Sequence, residues 1–167
     1  MDIQKELERE FESEAAKTRK MLEAVPEGVD FGWKPHVRSM TLGRLASHVT
    51  DFTGDWAHST LAEDKLEFAA DHKWDSWVPA SRAELLERFD SGIGKTRADL
   101  VAITPEKWDR NWKFIFGGQP WIDESKYQVW REMVINHMVH HRAQLGVYLR
   151  LLDAKIPGCY GPSADES

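Results

Sequence analysis

Residues 130–152, WREMVINHMVHHRAQLGVYLRLL, are the stretch from which the fold is read. Trp130, Met133, Val134, Gln144, Leu145 and Tyr148 recur at helical spacing, which predicts one amphipathic helix with this stripe turned to a core. His137 and His141 lie on the same stripe, four residues apart. At ~3.6 residues per turn, positions i and i+4 stack one above the other, so both imidazoles can face one divalent ion. A pair at this spacing can also be a helix surface or a hydrogen-bonded core pair. Two ligands are half a site in any case, because catalytic zinc-type centres take three protein ligands and a water. His140, at the edge of the stripe, reads as a packing residue or a support for a ligand.

Upstream, Ile3, Leu7, Phe11, Ala15, Thr18, Leu22 and Val25 predict a first helix over 2–25, ended by Pro26 and Gly28. The stretch VDFGWKPHVRSM reads as a loop. Thr41 then N-caps a second helix over 41–62, whose stripe of Leu42, Leu45, Val49 and Phe52 also carries His48. A buried histidine needs a polar partner, and His137 and His141 need a third ligand. Both needs are met if the second and last helices face each other. Asp55 lies near the same face, as a partner for a ligand imidazole or as a solvated helix charge.

Residues 63–80 lack sustained periodicity and read as a long crossover carrying His72, Trp74 and Trp77, with room for a short helical turn and a pocket wall. Ser81 and Glu84 form a capping box for a third helix ending at Thr104 and Pro105. Inside it, GIGKT imitates a phosphate-binding loop, but Phe89 stands where the first glycine belongs and no strand precedes it. Residues 106–127, with an aromatic run, Gly117-Gly118 and Pro120, suggest a small hairpin or irregular loop. The tail, rich in proline and glycine, cannot extend the last helix.

The 167 residues suit a single domain over 1–167. A hydrophobic fraction of 41% and a charged fraction of 30% are those of a soluble globular chain, and no apolar run approaches the ~20 residues of a membrane span. The charged N-terminus does not read as a signal peptide, and one cysteine, Cys159, permits no internal disulfide, so the expected location is cytoplasmic. A net charge of -6 without a basic patch argues against nucleic acid. Eight tryptophans either wall a pocket or pack under long loops.

Taken together, SMTLGRLASH (39–48), NHMVHHRAQLGVYLR (136–150) and the tail IPGCYGPSADE (156–166) resemble the DinB-like family, which includes the YfiT-type proteins. The name denotes a helical family and not the polymerase that shares it. The resemblance covers most of the chain and implies an all-α four-helix bundle, up-down-down-up, with the crossover joining helices two and three. It also implies one divalent metal ion held by His48, His137 and His141 with positions left open for water or substrate. Nickel or zinc is expected first, with iron or manganese as further candidates, and a homodimer is the implied assembly.

The resemblance further implies a metal-dependent enzyme of the low-molecular-weight-thiol S-transferase type, using a thiol such as bacillithiol or mycothiol. A metal-dependent hydrolase and a non-catalytic metal-binding stress protein are the alternatives. Three neutral ligands leave an ion strongly Lewis acidic, as either enzyme needs. Asp55 and Gln144 are the candidates to orient a bound nucleophile, a small-molecule substrate being the expected partner. Arg142, off the histidine stripe, suits a structural ion pair better than a substrate carboxylate. Cys159 has no evident base, and with Met138, Val139 and His140 between His137 and His141 there is no H-E-x-x-H glutamate.

Overall fold

A computed structural model describes residues 2–74 and 77–166. Its first helix is α1 (Ile3–Glu23). Helix α2 (Leu42–Asp51) runs through a π-helical turn (Phe52–Trp56) into α3 (Ala57–Ala62). Helix α4 (Arg82–Ala102) is followed by the single turn α5 (Pro105–Trp108). Helix α6 (Lys126–Val129) runs through a second π-helical stretch (Trp130–Asn136) into α7 (His137–Leu151). The strands are β1 (Lys65–Phe68), β2 (Asn111–Phe116) and β3 (Gln119–Ser125).

Capping sets the helix starts. The Thr41 hydroxyl accepts from Arg44 N at 3.1 Å and opens α2 where the sequence places it. Ser81 accepts from Glu84 N at 3.1 Å, but the Glu84 carboxylate turns to Ala80 N (2.7 Å) and Trp77 Nε1 (3.1 Å), so only half of the capping box forms. Helix α1 packs on α4 and α7, and α2 packs on α7 and α4. Leu7, Phe11, Leu45, Phe89, Trp130 and Leu145 fill the space between them. Each such buried side chain contributes ~1.5–3 kcal/mol of transfer free energy.

The expected all-α four-helix bundle is corrected by a three-stranded mixed sheet in the order β1-β2-β3. Strand β1 rises out of the crossover and pairs in parallel with β2, while β2 and β3 form an antiparallel hairpin. Among its described residues the crossover therefore supplies a strand and no helical turn; Asp75 and Ser76, near its middle, lie outside the described residues. Alternation in NWKFIF explains the strand: Trp112 and Phe114 point the same way and are buried, packed with Val129 in a satellite core. Gly117 (φ 59°) and Gly118 (φ 76°) supply the left-handed backbone of a tight hairpin turn. Pro120 sits on the edge strand β3, where a missing N–H is tolerated. No helix among the described residues is long and apolar enough to cross a membrane.

GIGKT lies within α4 and seats the first π-helical turn. A Cβ on Gly92 would stand 2.9 Å from Gly54 Cα, so the two backbones touch. One turn later the buried Thr96 hydroxyl donates to Thr53 O at 2.8 Å, and Thr53 donates in turn to Val49 O (3.1 Å) and Thr50 O (2.9 Å). Threonine hydroxyls thus occupy carbonyls where the helical register changes. Gly92→Ala is expected to destabilise the fold by ~1–3 kcal/mol through overpacking. Gly94→Ala, whose Cβ meets open space in the same helix, should stabilise it by ~0.5–1 kcal/mol. Urea midpoints of the two variants check both signs.

Candidate metal centre

The two π-helical stretches flank the histidines: one begins four residues after His48, and the other ends immediately before His137. Such insertions rotate the side chains that follow them. Here they belong to the two helical bodies whose histidines meet. His48 Nε2 lies 3.1 Å from His137 Nε2, and one ligand nitrogen from each of His48, His137 and His141 falls within 4.8 Å of the others. Three nitrogens ~2.0–2.1 Å from a tetrahedral ion would be separated by about 3.3 Å. The His48–His137 pair already stands close to that spacing, and His141 lies within 4.8 Å of both. Its donor set fits a divalent metal, with imidazole nitrogens and no competing cation among the three. Without an ion, the 3.1 Å contact is a hydrogen bond between two neutral rings.

Neutrality follows from the surroundings. Burial, with the adjacent histidines and Arg44, holds the His48 imidazole down at about 3. Burial and the neighbouring His141 and His140 hold His137 at about 4. His141 is lowered chiefly by burial, against a hydrogen bond from its ring to Gln144 and with help from His140. All three present lone pairs near neutral pH. Gln144 Oε1 lies 2.7 Å from His141 Nδ1, so that ring nitrogen donates and Nε2 is free to ligate. The Gln144 amide nitrogen donates to His140 Nε2 at 3.1 Å, leaving His140 outside the cluster.

Phe52, from the first π-helical turn, stacks on His137 (centroids 3.9 Å apart, planes 17°) and stands edge-on to His48 at 4.6 Å. Trp56 stacks on Phe52 at 4.9 Å. Beyond them a cavity of about 500 Å³ opens from His48 toward the sheet, with Phe68, Trp74 and Phe114 among its walls. This volume is in the range of small-molecule sites. The tryptophans divide between the two roles foreseen: Trp56 and Trp74 line the cavity, whereas Trp108, Trp112 and Trp130 are buried in the cores.

His48, His137 and His141 come together. Asp55 is exposed at the cavity rim with its carboxylate between Arg88 (3.6 Å) and Lys95 (3.7 Å). Gln144 is exposed and engaged with His141, at the edge of the buried stripe. Arg142 is a buried structural residue: it donates to Glu14 Oε2 at 2.6 Å and to Thr18 Oγ1 at 3.0 Å. The sequence reading missed Arg44 and Asp51, which line the cavity one turn before and nearly one turn after His48. Burial raises the Asp51 carboxyl despite Arg88 at 3.1 Å. Their helical spacing from His48 was the available signal.

The DinB family profile matches residues 1–167. The chain is 28% identical over 162 residues to the uncharacterized protein YrdA of Bacillus subtilis, covering 95% of this chain and 88% of that one. A DinB-like protein from Bacillus cereus ATCC 10987 superposes with a TM-score of 0.69 at 22% identity, covering 92% of this chain and 95% of that structure. A second DinB-like protein, YjoA of Bacillus subtilis, gives 0.63 at 16% identity, over 97% and 99%. The family match spans every residue that carries the histidine cluster and its cavity, and the chain belongs to the DinB family.

Proposed function

We propose that the protein is a metal-dependent enzyme acting on small molecules, with one divalent ion held by His48, His137 and His141, and that its reaction is transfer to or from a low-molecular-weight thiol. The observation that carries this reading is three neutral imidazoles converging on one another, with His48 of the three lining a largely apolar cavity. When bound there, a divalent ion supplies Lewis acidity that lowers the pKa of a thiol or water in contact with it. Nickel and zinc suit the all-imidazole donor set, as iron does.

The chain's own groups do the rest. Gln144 fixes the His141 tautomer, and Phe52 holds the His137 ring plane. Phe52 and Trp56 keep water from the inner end of the cavity, which strengthens electrostatic contacts made there. Asp51, its carboxyl raised by burial, takes up a proton released in the cavity, and Arg88 orients it. Asp55 positions Arg88 from the rim. A carboxyl of raised pKa beside the cluster also favours a second reading, hydrolysis, in which Asp51 takes a proton from water.

Elemental analysis of tag-free, metal-loaded protein should find one equivalent of metal, lost in His48→Ala, His137→Ala and His141→Ala and retained in His140→Ala. Equal loss in the His140 variant would overturn the ligand assignment. Because a protonated imidazole cannot ligate, and burial holds the free His48 and His137 rings down at about 3 and 4 and lowers His141 as well, affinity should fall less from pH 8 to 6 than it would for a site of ordinary imidazoles. An ordinary imidazole of pKa ~6.5 would already compete there. Affinity should fall steeply as pH drops toward 4, as calorimetric titration across this range would register.

Turnover of 1-chloro-2,4-dinitrobenzene with a panel of small thiols, and of p-nitrophenyl acetate without thiol, separates the reactions. Thiol-dependent conjugation that disappears in His137→Ala supports transfer. Thiol-independent ester cleavage that drops about 100-fold or more in Asp51→Asn supports hydrolysis. Neither activity on fully loaded protein would sink the enzymatic reading.

A further inference from the structure

The cavity beside the histidine cluster has a composition that selects its ligand. Its walls are aromatic on two sides: Phe52 and Trp56 come from the helical side, and Phe68 and Phe114 from the sheet. The Trp56 and Phe114 rings are 5.2 Å apart, and Phe68 lies 6.1 Å from Phe114. Trp74, half exposed, leans over Phe68 at 4.9 Å and closes the outer side. Flat walls of this kind favour a planar apolar body, which can stack on the rings.

The charges that reach the cavity are unevenly compensated. Asp51 and Asp55 both pair with Arg88, at 3.1 and 3.6 Å, and Asp55 is shared with Lys95 at 3.7 Å. Arg44 and Lys73 also line the cavity, yet neither makes an ion pair with a described residue. Arg44 is half-buried, and its Nη1 donates to the Trp74 carbonyl at 3.2 Å, which tethers the guanidinium beside the closing ring and leaves other N–H groups available. It stands one helical turn before His48, on the same face. Arg44 feels the charge of Asp51, but Asp51 is already paired with Arg88 at 3.1 Å, so in a chain of net charge -6 the Arg44 guanidinium beside the aromatic walls sets the sign of what enters. Its fork geometry matches a carboxylate.

We propose that the cavity binds a small molecule with a planar apolar body and a carboxylate or similar anionic head, the body between the aromatic walls and the anion on Arg44. The molecule's reacting end then faces His48. This deepens the reading of the site as a small-molecule enzyme and rests on it. Lys73 adds attraction at the mouth, and Arg88, occupied by two carboxylates, does not bind the head group.

Calorimetric titration with naphthalene-2-carboxylate and its neutral isostere naphthalene-2-carboxamide tests this on the metal-loaded protein and again after chelator treatment. The carboxylate should bind at least about tenfold more tightly than the amide in both forms, a difference of ~1.4 kcal/mol. Arg44→Gln should remove that preference while leaving amide affinity within about twofold, and Arg44→Lys should keep part of it. Trp74→Ala should weaken both ligands together. Equal binding of the two ligands, no binding of either, or an undiminished preference in a folded Arg44→Gln would overturn the proposal. A preference present only with metal would assign the anion to the ion and overturn it equally. Carboxylate preference in protein that takes up no metal would sustain this inference while sinking the metal reading, so the two failures are distinct.

Discussion

Three imidazoles meet in the seam between two helical bodies, and much of the structure is arranged around keeping them there uncharged. A buried polar ring without a partner is costly, and a buried imidazolium beside two others more so. The rings are satisfied against one another and against Gln144, and among the described residues no carboxylate joins the cluster to draw a proton onto it. The same arrangement that makes the rings poor bases leaves them good ligands.

Holding that seam requires both helical bodies to be fixed in rotation. On the α2 side, the contact of Gly54 with Gly92 and the hydroxyl chain through Thr96 and Thr53 set the π-helical turn against α4, which aims Phe52 at His137. On the α7 side, Arg142 is buried next to His141 and is tied to Glu14 and Thr18 of α1. Tyr160 donates to the same Glu14 carboxylate at 2.6 Å, and Arg150 binds Asp165 at 2.6 Å, so the C-terminal tail straps α7 to α1. Breaking a buried ion pair of this kind costs ~3–5 kcal/mol, which makes the network a rotational lock on the face that carries His137 and His141. Cys159 sits in this strapped tail, half-buried against the core.

What could be read from the sequence was whatever depends on spacing along one helix. The stripes of α1, α2, α4 and α7, the Thr41 cap and the i,i+4 histidines all follow from a 3.6-residue period. His48 was reachable because a buried imidazole demands a partner and only two other histidines lay on apolar faces. The sheet was not reachable in the same way. Residues 65–68, KLEF, alternate polar and apolar over only four positions, and their partner is a parallel strand some fifty residues away, so the local signal is too short to separate them from loop. The hairpin was half legible in Gly117-Gly118. The cavity belongs to the non-local part: Phe68, Trp74 and Phe114 become its walls only once β1 has paired with β2. Arg44 and Asp51 were passed over although their spacing from His48 marks them as its neighbours.

The central claim, a metal held by these three side chains, is met most directly by X-ray absorption at the metal edge of zinc-loaded protein. The account predicts a first shell containing three imidazole nitrogens at ~2.0–2.1 Å together with light-atom donors from solvent, and loss of the bound-zinc signal when His141 is replaced by alanine. A shell of oxygens alone, a sulfur ligand, or a spectrum unchanged in that variant would contradict it and return the three histidines to the role of a hydrogen-bonded core cluster.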